Sequence, residues 1–291
     1  MKYEIETLLS ETFSEPIRIL GSSSCGGGCI NRTEVLSLSN GEKAFLKSHP
    51  NPPQNFFHCE ARGLDLLRSA ENGPSLPTVL GIQPSTKTRF ILLEHIAEEP
   101  PCDKFYIGFG RAMAALHRKS HDHYGLDHNN YIGKTPQKNT LEKDPIIFFR
   151  EYRIRFQQEL ARQSRLLPVS LDKSIDKLCS KLHKLLDITG EKPALLHGDL
   201  WSGNYFSGPR QTPYIFDPAT HFGLREADLA MTELFGSLPK SFYSAYNEAF
   251  PLNPGYAERK NLYNLYHLLN HLNLFGGSYL SSVENTVNYF N

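Results

Sequence analysis

The feature that most limits what this chain can fold into is a polar segment, residues 195–204 (LLHGDLWSGN), followed by residues 214–218 (YIFDP). Asp199 and Asn204 are five positions apart, and Asp217 follows a short apolar run. A carboxylate can accept the proton of an attacking hydroxyl group, and amide and carboxylate oxygens are ligands that Mg²⁺ prefers. The spacing therefore predicts phosphoryl transfer, with Asp199 as proton acceptor and with Asn204 and Asp217 as metal ligands.

The same Asp-to-Asn interval occurs in the protein-kinase catalytic loop, H-R-D-x-x-x-x-N, where Gly198 stands here in place of the Arg. The alternative interpretation is a buried polar turn between two strands, with Asp and Asn as its capping residues. Residues earlier in the chain favour the catalytic interpretation.

A glycine-rich segment that includes Gly26, Gly27 and Gly28 lies between two predicted strands. Consecutive glycines let backbone N–H groups approach phosphates, although such clusters are often only flexible loops. Lys47 ends the next predicted strand, and Glu60 on the following predicted helix offers it a carboxylate partner. Such a pair would hold the ammonium group toward the α- and β-phosphates of a nucleotide. No Walker A pattern occurs, which disfavours a P-loop NTPase.

The periodicity predicts two lobes joined by a hinge. Residues 1–97 contain short apolar runs around one helical pattern, and an Asn-Gly turn at 40–41 predicts a hairpin. Residues 94–101 are acidic and end in two prolines, as expected of a hinge. Residues 98–291 are mostly helical in pattern. We therefore expect an α+β fold with a small antiparallel sheet-plus-helix lobe and a larger, mainly helical lobe.

The composition excludes several classes of protein. The 31 basic residues balance 31 acidic ones, whereas nucleic-acid binders are usually basic. No apolar run approaches the roughly 18–20 residues of a membrane helix, and residues 1–10 resemble no signal peptide. The five cysteines show no C-x-x-C pairing, so neither a disulfide framework nor a zinc site is favoured. We expect a cytoplasmic protein without nucleic-acid or membrane partners.

Several further segments match a known family when they are taken together. They are residues 27–31 (GGCIN), 129–133 (NNYIG) with 136–137 (PQ) and Asn139, 197–204 (HGDLWSGN), 225–232 (READLAMT) with 234–236 (LFG), and 270–277 (NHLNLFGG). In combination they resemble the fructosamine kinase, or ketosamine-3-kinase, family over roughly residues 22–279. Aminoglycoside phosphotransferases and choline kinases share H-G-D-x4-N and the later Asp, but not the Trp201 context or residues 270–277.

The resemblance implies a protein-kinase-like bilobal fold and ATP-dependent phosphorylation of the sugar O3 of a ketoamine. Ketoamines form when a reducing sugar condenses with an amine and rearranges, and the 3-phosphate then eliminates and frees the amine. The resemblance thus implies deglycation, with ATP and Mg²⁺ as cofactors. The acceptor would be either a small ketoamine or a glycated protein side chain.

The resemblance also assigns roles to individual residues. Glu94, His95 and Ile96 correspond to the hinge that contacts adenine, and Lys47 and Glu60 to the ion pair. Asp228 resembles the helix carboxylate that hydrogen-bonds the backbone of the catalytic loop.

Two residues are candidates for contacting the substrate, and each of them has two possible roles. Trp201 either stacks on the sugar or packs beneath the catalytic loop, and His271 either contacts substrate or is a core histidine. The chain also departs from the family pattern, with residues 144–147 where a Trp is usual and Phe222 where a Tyr is usual. These departures concern the substrate pocket and leave the phosphate chemistry intact.

Cys29 follows the three glycines and has two interpretations. It is either a small buried side chain or a redox-sensitive thiol, since backbone N–H groups and Lys47 would favour the thiolate. The fructosamine kinase family carries a Cys at this place, and in some members it is implicated in redox control and inter-subunit disulfides. We therefore expect a monomer or a redox-linked homodimer. Peroxide followed by dithiothreitol, applied to wild type and Cys29→Ala, tests the switch.

Two other functions remain as alternatives. The first is a kinase for a free sugar, an aminoglycoside or an amino alcohol on the same fold. Residues 256–277 carry Glu258 alone against Arg259 and Lys260, which disfavours a polycationic acceptor. The second is a nucleotide-binding pseudoenzyme, which would be expected to lack Lys47, Asp199 or Asp217.

Overall fold

The computed structural model describes residues 1–25, 31–83, 89–186, 188 and 190–291. The amino-terminal part is a five-stranded antiparallel sheet with two helices. Its strands are β1 (Ile19–Ser24), β2 (Arg32–Leu38), β3 (Lys43–Ser48), β4 (Val79–Ile82) and β5 (Phe90–Glu94), in the spatial order β1-β2-β3-β5-β4. Its helices are α1 (Lys2–Phe13) and α2 (Phe56–Arg68). The predicted hairpin at Asn40-Gly41 is confirmed between β2 and β3, where Gly41 has φ 88°.

Two elements of this part differ from the prediction. Helix α1 was not expected, because only Ile5, Glu6 and Leu9 of its twelve residues are buried, and such a short apolar stripe is a weak signal. Strand β1 continues through Gly21, although a glycine weakens the interior of a strand. It is an edge strand and is largely exposed. Backbone hydrogen bonds to β2 therefore stabilise it, although the strand has no buried apolar face.

The carboxy-terminal part is mainly helical, as predicted. Its helices are α3 (Asp103–Arg118), α4 (Pro145–Phe149), α5 (Phe156–Gln163), α6 (Val169–Leu185), α7 (Glu226–Leu234), α8 (Lys240–Ala249), α9 (Tyr256–Phe275) and α10 (Leu280–Phe290). Its short strands form three antiparallel pairs. They are β6 (Asn130–Ile132) with β7 (Thr135–Gln137), β8 (Ala194–Leu196) with β11 (His221–Gly223), and β9 (Tyr205–Gly208) with β10 (Thr212–Ile215). The α+β bilobal prediction is confirmed.

The helical segment from Pro145 to Gln163 contains a π-helical turn, which the sequence pattern did not indicate. Residues Arg150–Arg155 form this turn between α4 and α5. A π-turn rotates the following side chains relative to an α-helix, and such turns often occur near functional sites. Here the turn contains Arg153, whose side chain is buried.

One apolar core connects the two parts. Ile91 and Leu93 of β5 pack in the same cluster as Phe105 and Phe109 of α3 and Leu195 of β8. Strand β8 leads directly into the polar segment that begins at His197, so this core fixes where that segment starts. Across the described ranges, no helix combines the length and apolarity required to cross a membrane.

Candidate active site

A cleft of about 920 Å³ lies between the sheet and the helical part. Its walls include Val35, Phe45 and Leu93 from the sheet. The helical part contributes residues of the loop 197–204, which we call the catalytic loop after its resemblance to that of protein kinases. The polar side chains predicted from the sequence share this cleft. They are Lys47, Glu60, Asp199, Asn204 and Asp217.

Lys47 is buried between two carboxylates. Its Nζ atom lies 2.7 Å from Glu60 Oε1 and 2.8 Å from Asp217 Oδ1. Burial alone would lower the pKa of Lys47, but the charges of Asp217 and Glu60 outweigh burial and raise it. The side chain is only 3% exposed, unlike the solvated position that is usual for a lysine at the end of a strand. Lys47 is therefore a fixed cation in the wall of the cleft.

Asp199 and Asn204 are hydrogen-bonded to each other. Asn204 Nδ2 donates to the Asp199 backbone oxygen at 2.9 Å and to its Oδ2 at 3.3 Å. Burial, together with the negative charges of Asp217 and Asp228, raises the pKa of Asp199 to about 8. A general base works best when its pKa lies near the operating pH, and the raised pKa brings the Asp199 carboxyl group toward that range.

Asp228 on α7 holds the backbone of the loop that precedes Asp199. Its carboxylate accepts hydrogen bonds from His197 N at 2.7 Å and from Gly198 N at 2.8 Å. His117 on α3 lies 3.2 Å from the same carboxylate and contacts Tyr246 through its other ring nitrogen. Burial would raise the pKa of Asp228, but these hydrogen bonds outweigh it and lower the pKa.

Gly198 occupies a position where a side chain does not fit. Its φ is +85°, and a Cβ atom there would lie 2.1 Å from the Ala219 backbone oxygen. Both facts explain why Gly replaces the Arg of the protein-kinase loop: the backbone after Asp217 passes directly against it.

We expect Gly198→Ala to lower the melting temperature by about 5 °C or more. A left-handed alanine costs roughly 1–2 kcal/mol, and moving the Ala219 carbonyl adds to that cost. Gly108→Ala in α3 is the control, because φ there is not positive and, among the described residues, no atom lies within 4 Å of the new Cβ. Its expected effect is a small increase in stability. Thermal unfolding followed by circular dichroism measures both, and equal shifts would contradict the steric argument.

Glu94, the last residue of β5, and the following His95 and Ile96 line the cleft at the place where the nucleotide hinge is predicted. Burial is the main cause that lowers the pKa of His95. The predicted phosphate-binding residues Gly26, Gly27, Gly28 and Cys29 lie outside the described residues.

Trp201 and His271 both line the cleft. The indole of Trp201 covers Gly203, since a Cβ on that glycine would lie 2.3 Å from the ring. One face of Trp201 therefore packs on the catalytic loop, while the side chain remains part of the cleft wall. His271 Nδ1 donates to the His267 backbone oxygen at 2.8 Å, so its ring is anchored to α9 and still borders the cleft.

Three further aromatic residues border the cleft beside His271, and the sequence alone indicates no role for them. Phe235, Phe275 and Tyr279 border the cleft, with the first and last of them each 5.0 Å from the His271 ring centroid. Phe235 and Phe275 are 44% and 45% exposed, which is unusual for large apolar side chains. Phe235 and Phe275 lie in the segments 234–236 and 270–277, which in the sequence indicate only the family resemblance.

The fold is that of protein-kinase-like phosphotransferases. The crystal structure of a macrolide 2′-phosphotransferase from Brachybacterium faecium superposes with a TM-score of 0.62 at 15% identity. The match covers 97% of this chain and 98% of that one. At this identity the similarity shows the fold alone.

Proteins that are more similar in sequence show the family to which this chain belongs. The family model described as fructosamine kinase matches residues 1–290, and the chain belongs to the fructosamine kinase family. A Vibrio parahaemolyticus protein named as a ketoamine kinase is 38% identical over 287 residues, covering 98% of this chain and 97% of that protein. A chloroplastic protein-ribulosamine 3-kinase from Oryza sativa subsp. indica is 38% identical over 280 residues, covering 95% and 80%. A crystal structure named as a fructosamine-3-kinase from Thermobifida fusca superposes with a TM-score of 0.87 at 31% identity, covering 98% of each chain.

Proposed function

We propose that this protein transfers the terminal phosphoryl group of ATP to a hydroxyl group of a ketoamine. The observation that carries the proposal is the family match over residues 1–290, together with one cleft that contains Lys47, Asp199, Asn204 and Asp217. A pseudoenzyme would be expected to have lost one of these side chains.

The acceptor hydroxyl is proposed to be O3 of the sugar. Asp199 takes the proton of that hydroxyl as its oxygen attacks phosphorus, and the bond between the transferred phosphorus and the bridging oxygen of ADP breaks. Asn204 holds the Asp199 carboxylate in place through the 3.3 Å hydrogen bond. A ketoamine 3-phosphate then eliminates phosphate and frees the amine, so the product chemistry is deglycation.

The cleft residues fit a Mg²⁺ ion. Both hydrogen bonds made by the Asn204 side chain within the described ranges use Nδ2, which leaves its carbonyl oxygen as a ligand. The Asp217 carboxylate is 48% exposed and faces the same space. Mg²⁺ is usually held by one or two protein groups and by substrate phosphates, so these two oxygens suffice. When bound, the ion would neutralise charge on the phosphates.

The nucleotide is proposed to lie between the hinge and Lys47. Glu94, His95 and Ile96 offer backbone and side-chain groups for adenine, and Lys47 presents its ammonium group to the phosphates. We further propose that residues 1–97 and 98–291 act as two lobes that enclose the nucleotide. The redox-linked dimer through Cys29 and the cytoplasmic location stay predictions.

A polycationic acceptor such as an aminoglycoside is the alternative that the cleft disfavours. The α9 residues that face the cleft are Asn270, His271, Leu274 and Phe275, and none carries a carboxylate. A wall of this kind suits a neutral sugar beside aromatic rings better than several ammonium groups.

The test measures ADP release from ATP with a panel of ribulosamines, fructosamines, free sugars and aminoglycosides. We expect turnover with one or more ketoamines and background rates with the other compounds. Asp199→Asn protein, prepared in parallel, is the control for contaminating kinases. Turnover with an aminoglycoside or a free sugar alone would contradict the proposal.

A further inference from the structure

The segment from Asn129 to Asn139 belongs to the family resemblance but has no role in the chemistry described above. In the structure it forms the β6–β7 hairpin, and three of its amide side chains are buried: Asn130, Gln137 and Asn139. Burying amides is unfavourable unless each polar atom has a partner, so the partners indicate what the hairpin does.

Two of these amides bind the backbone just after Asp217. Gln137 Nε2 donates to the Ala219 backbone oxygen at 2.9 Å, and Asn130 Nδ2 donates to the Thr220 backbone oxygen at 2.8 Å. The hairpin therefore holds two consecutive carbonyl groups, which lie two and three residues beyond Asp217, the proposed metal ligand.

A second set of contacts fixes the two amides themselves. Gln137 Nε2 also donates to Asn130 Oδ1 at 2.8 Å, and Tyr266 OH on α9 donates to Gln137 Oε1 at 2.6 Å. Asn139 Nδ2 donates to Asn130 Oδ1 at 2.7 Å. Arg153, in the π-helical turn, donates through Nη2 to Asn139 Oδ1 at 2.9 Å. The whole set, which we call the amide relay, consists of Asn130, Gln137, Asn139, Arg153 and Tyr266.

The backbone at Asp217 is one that needs such support. Its φ is 58°, a left-handed conformation that is unfavourable for a residue with a side chain. On the other side, Phe216 N donates to Asn204 O at 3.1 Å and Ala219 N donates to His197 O at 2.9 Å. The catalytic loop thus holds one edge of this segment, and the amide relay holds the other.

We propose that Gln137 and Asn130 are positioning residues that orient the Asp217 carboxylate for the metal–nucleotide complex. The proposal rests on the proposed function, because it takes Asp217 as a metal ligand. Partners that orient a metal ligand typically change metal affinity or activity by 10–100-fold when they are removed. A role in stability alone would leave the metal dependence of nucleotide binding unchanged.

The variant Gln137→Met tests the proposal, with Gln158→Met as its matched control. Both glutamines are fully or almost fully buried, and both donate through Nε2 to a backbone oxygen. Gln158 donates to the backbone oxygen of Asp172 on α6 and to the carboxylates of Asp172 and Asp176, and neither residue lines the cleft. The same substitution therefore removes a buried amide-to-backbone hydrogen bond at two places, of which one lies two residues beyond Asp217.

The main measurement is the affinity for ATP with and without Mg²⁺. Binding is monitored through the fluorescence of Trp201, the single tryptophan of the chain. We expect Gln137→Met to reduce the gain in affinity that Mg²⁺ gives by about tenfold or more. Its affinity for metal-free ATP should stay within twofold of wild type. Gln158→Met should match wild type in both values. In turnover assays Gln137→Met should lower kcat and leave the KM for the ketoamine within twofold.

A second variant covers the case in which Gln137→Met does not fold. Tyr266→Phe removes only the hydroxyl group that fixes Gln137 Oε1, and we expect a smaller reduction of the Mg²⁺ effect, about threefold. A wild-type Mg²⁺ effect in the folded Gln137→Met variant, or in Tyr266→Phe if the former is unfolded, would overturn the proposal. Binding is measured without acceptor, so failure to phosphorylate any ketoamine would contradict the proposed function and leave this test intact.

Discussion

Asp199→Asn is expected to lower kcat by about 10²–10⁴-fold while ATP still binds. The amide nitrogen and oxygen occupy the space of the two carboxylate oxygens, but an amide cannot accept the proton of the acceptor hydroxyl, and general-base contributions are of this size. Lys47 and Asp217 are unchanged in this variant, so the affinity for the metal–nucleotide complex should stay close to that of wild type. Single-turnover phosphoryl transfer and equilibrium ATP binding measure the two quantities separately.

The same variant should not be less stable than wild type. Burial and two neighbouring carboxylates raise the pKa of Asp199 to about 8, so the fold favours the neutral form of this side chain. A group whose pKa is raised on folding destabilises the protein where the unfolded chain is ionised, and this applies to Asp199 above about pH 4. A neutral isostere removes that penalty, so the melting temperature at pH 7 should be equal or higher. Unchanged kcat in this stable variant would remove Asp199 from its proposed role.

Much of this site could be predicted from the sequence, because its chemistry depends on short-range spacing. The interval from Asp199 to Asn204 and the apolar strand before Asp217 are local patterns, and they place three polar groups in one loop region. The partnership of Lys47 and Glu60 was predicted from their order along the chain. Their 2.7 Å contact requires that α2 lie beside the face of β3 that carries Lys47, and Phe45 of β3 packs against the same apolar cluster as Phe57 and Leu64 of α2.

Other features could not be predicted, because they depend on contacts between distant segments. The hydrogen bonds from Gln137 and Asn130 to the carbonyls at 219 and 220 join residues more than 80 positions apart. The π-helical turn that contains Arg153 leaves no clear periodic pattern in the sequence. Edge strand β1 and helix α1 bury few side chains, so hydrophobic patterning, which detects burial, gave little indication of them.

Asp217→Ala is expected to reduce both binding of the metal–nucleotide complex and turnover. The substitution removes a charged metal ligand, and metal stabilisation of the transferring phosphoryl group is worth several kcal/mol, or about 10²–10³-fold in kcat. This result would distinguish Asp217 from Asp199, whose replacement should affect turnover alone. Unchanged affinity for Mg·ATP would show that Asp217 is not a metal ligand.

The Asp217→Ala variant should remain folded, and the reason lies in how Lys47 is shared. The Asp217 carboxylate is 48% exposed, whereas Glu60 is buried and stays 2.7 Å from the ammonium group. Removing Asp217 therefore leaves a buried Lys with one buried partner, not an unpaired charge. Glu60→Ala is the matched comparison, since it leaves the buried ammonium with only the exposed carboxylate. We expect thermal unfolding to show a clearly larger loss of stability for Glu60→Ala than for Asp217→Ala, and the reverse order would mean that Asp217 is the principal partner of Lys47.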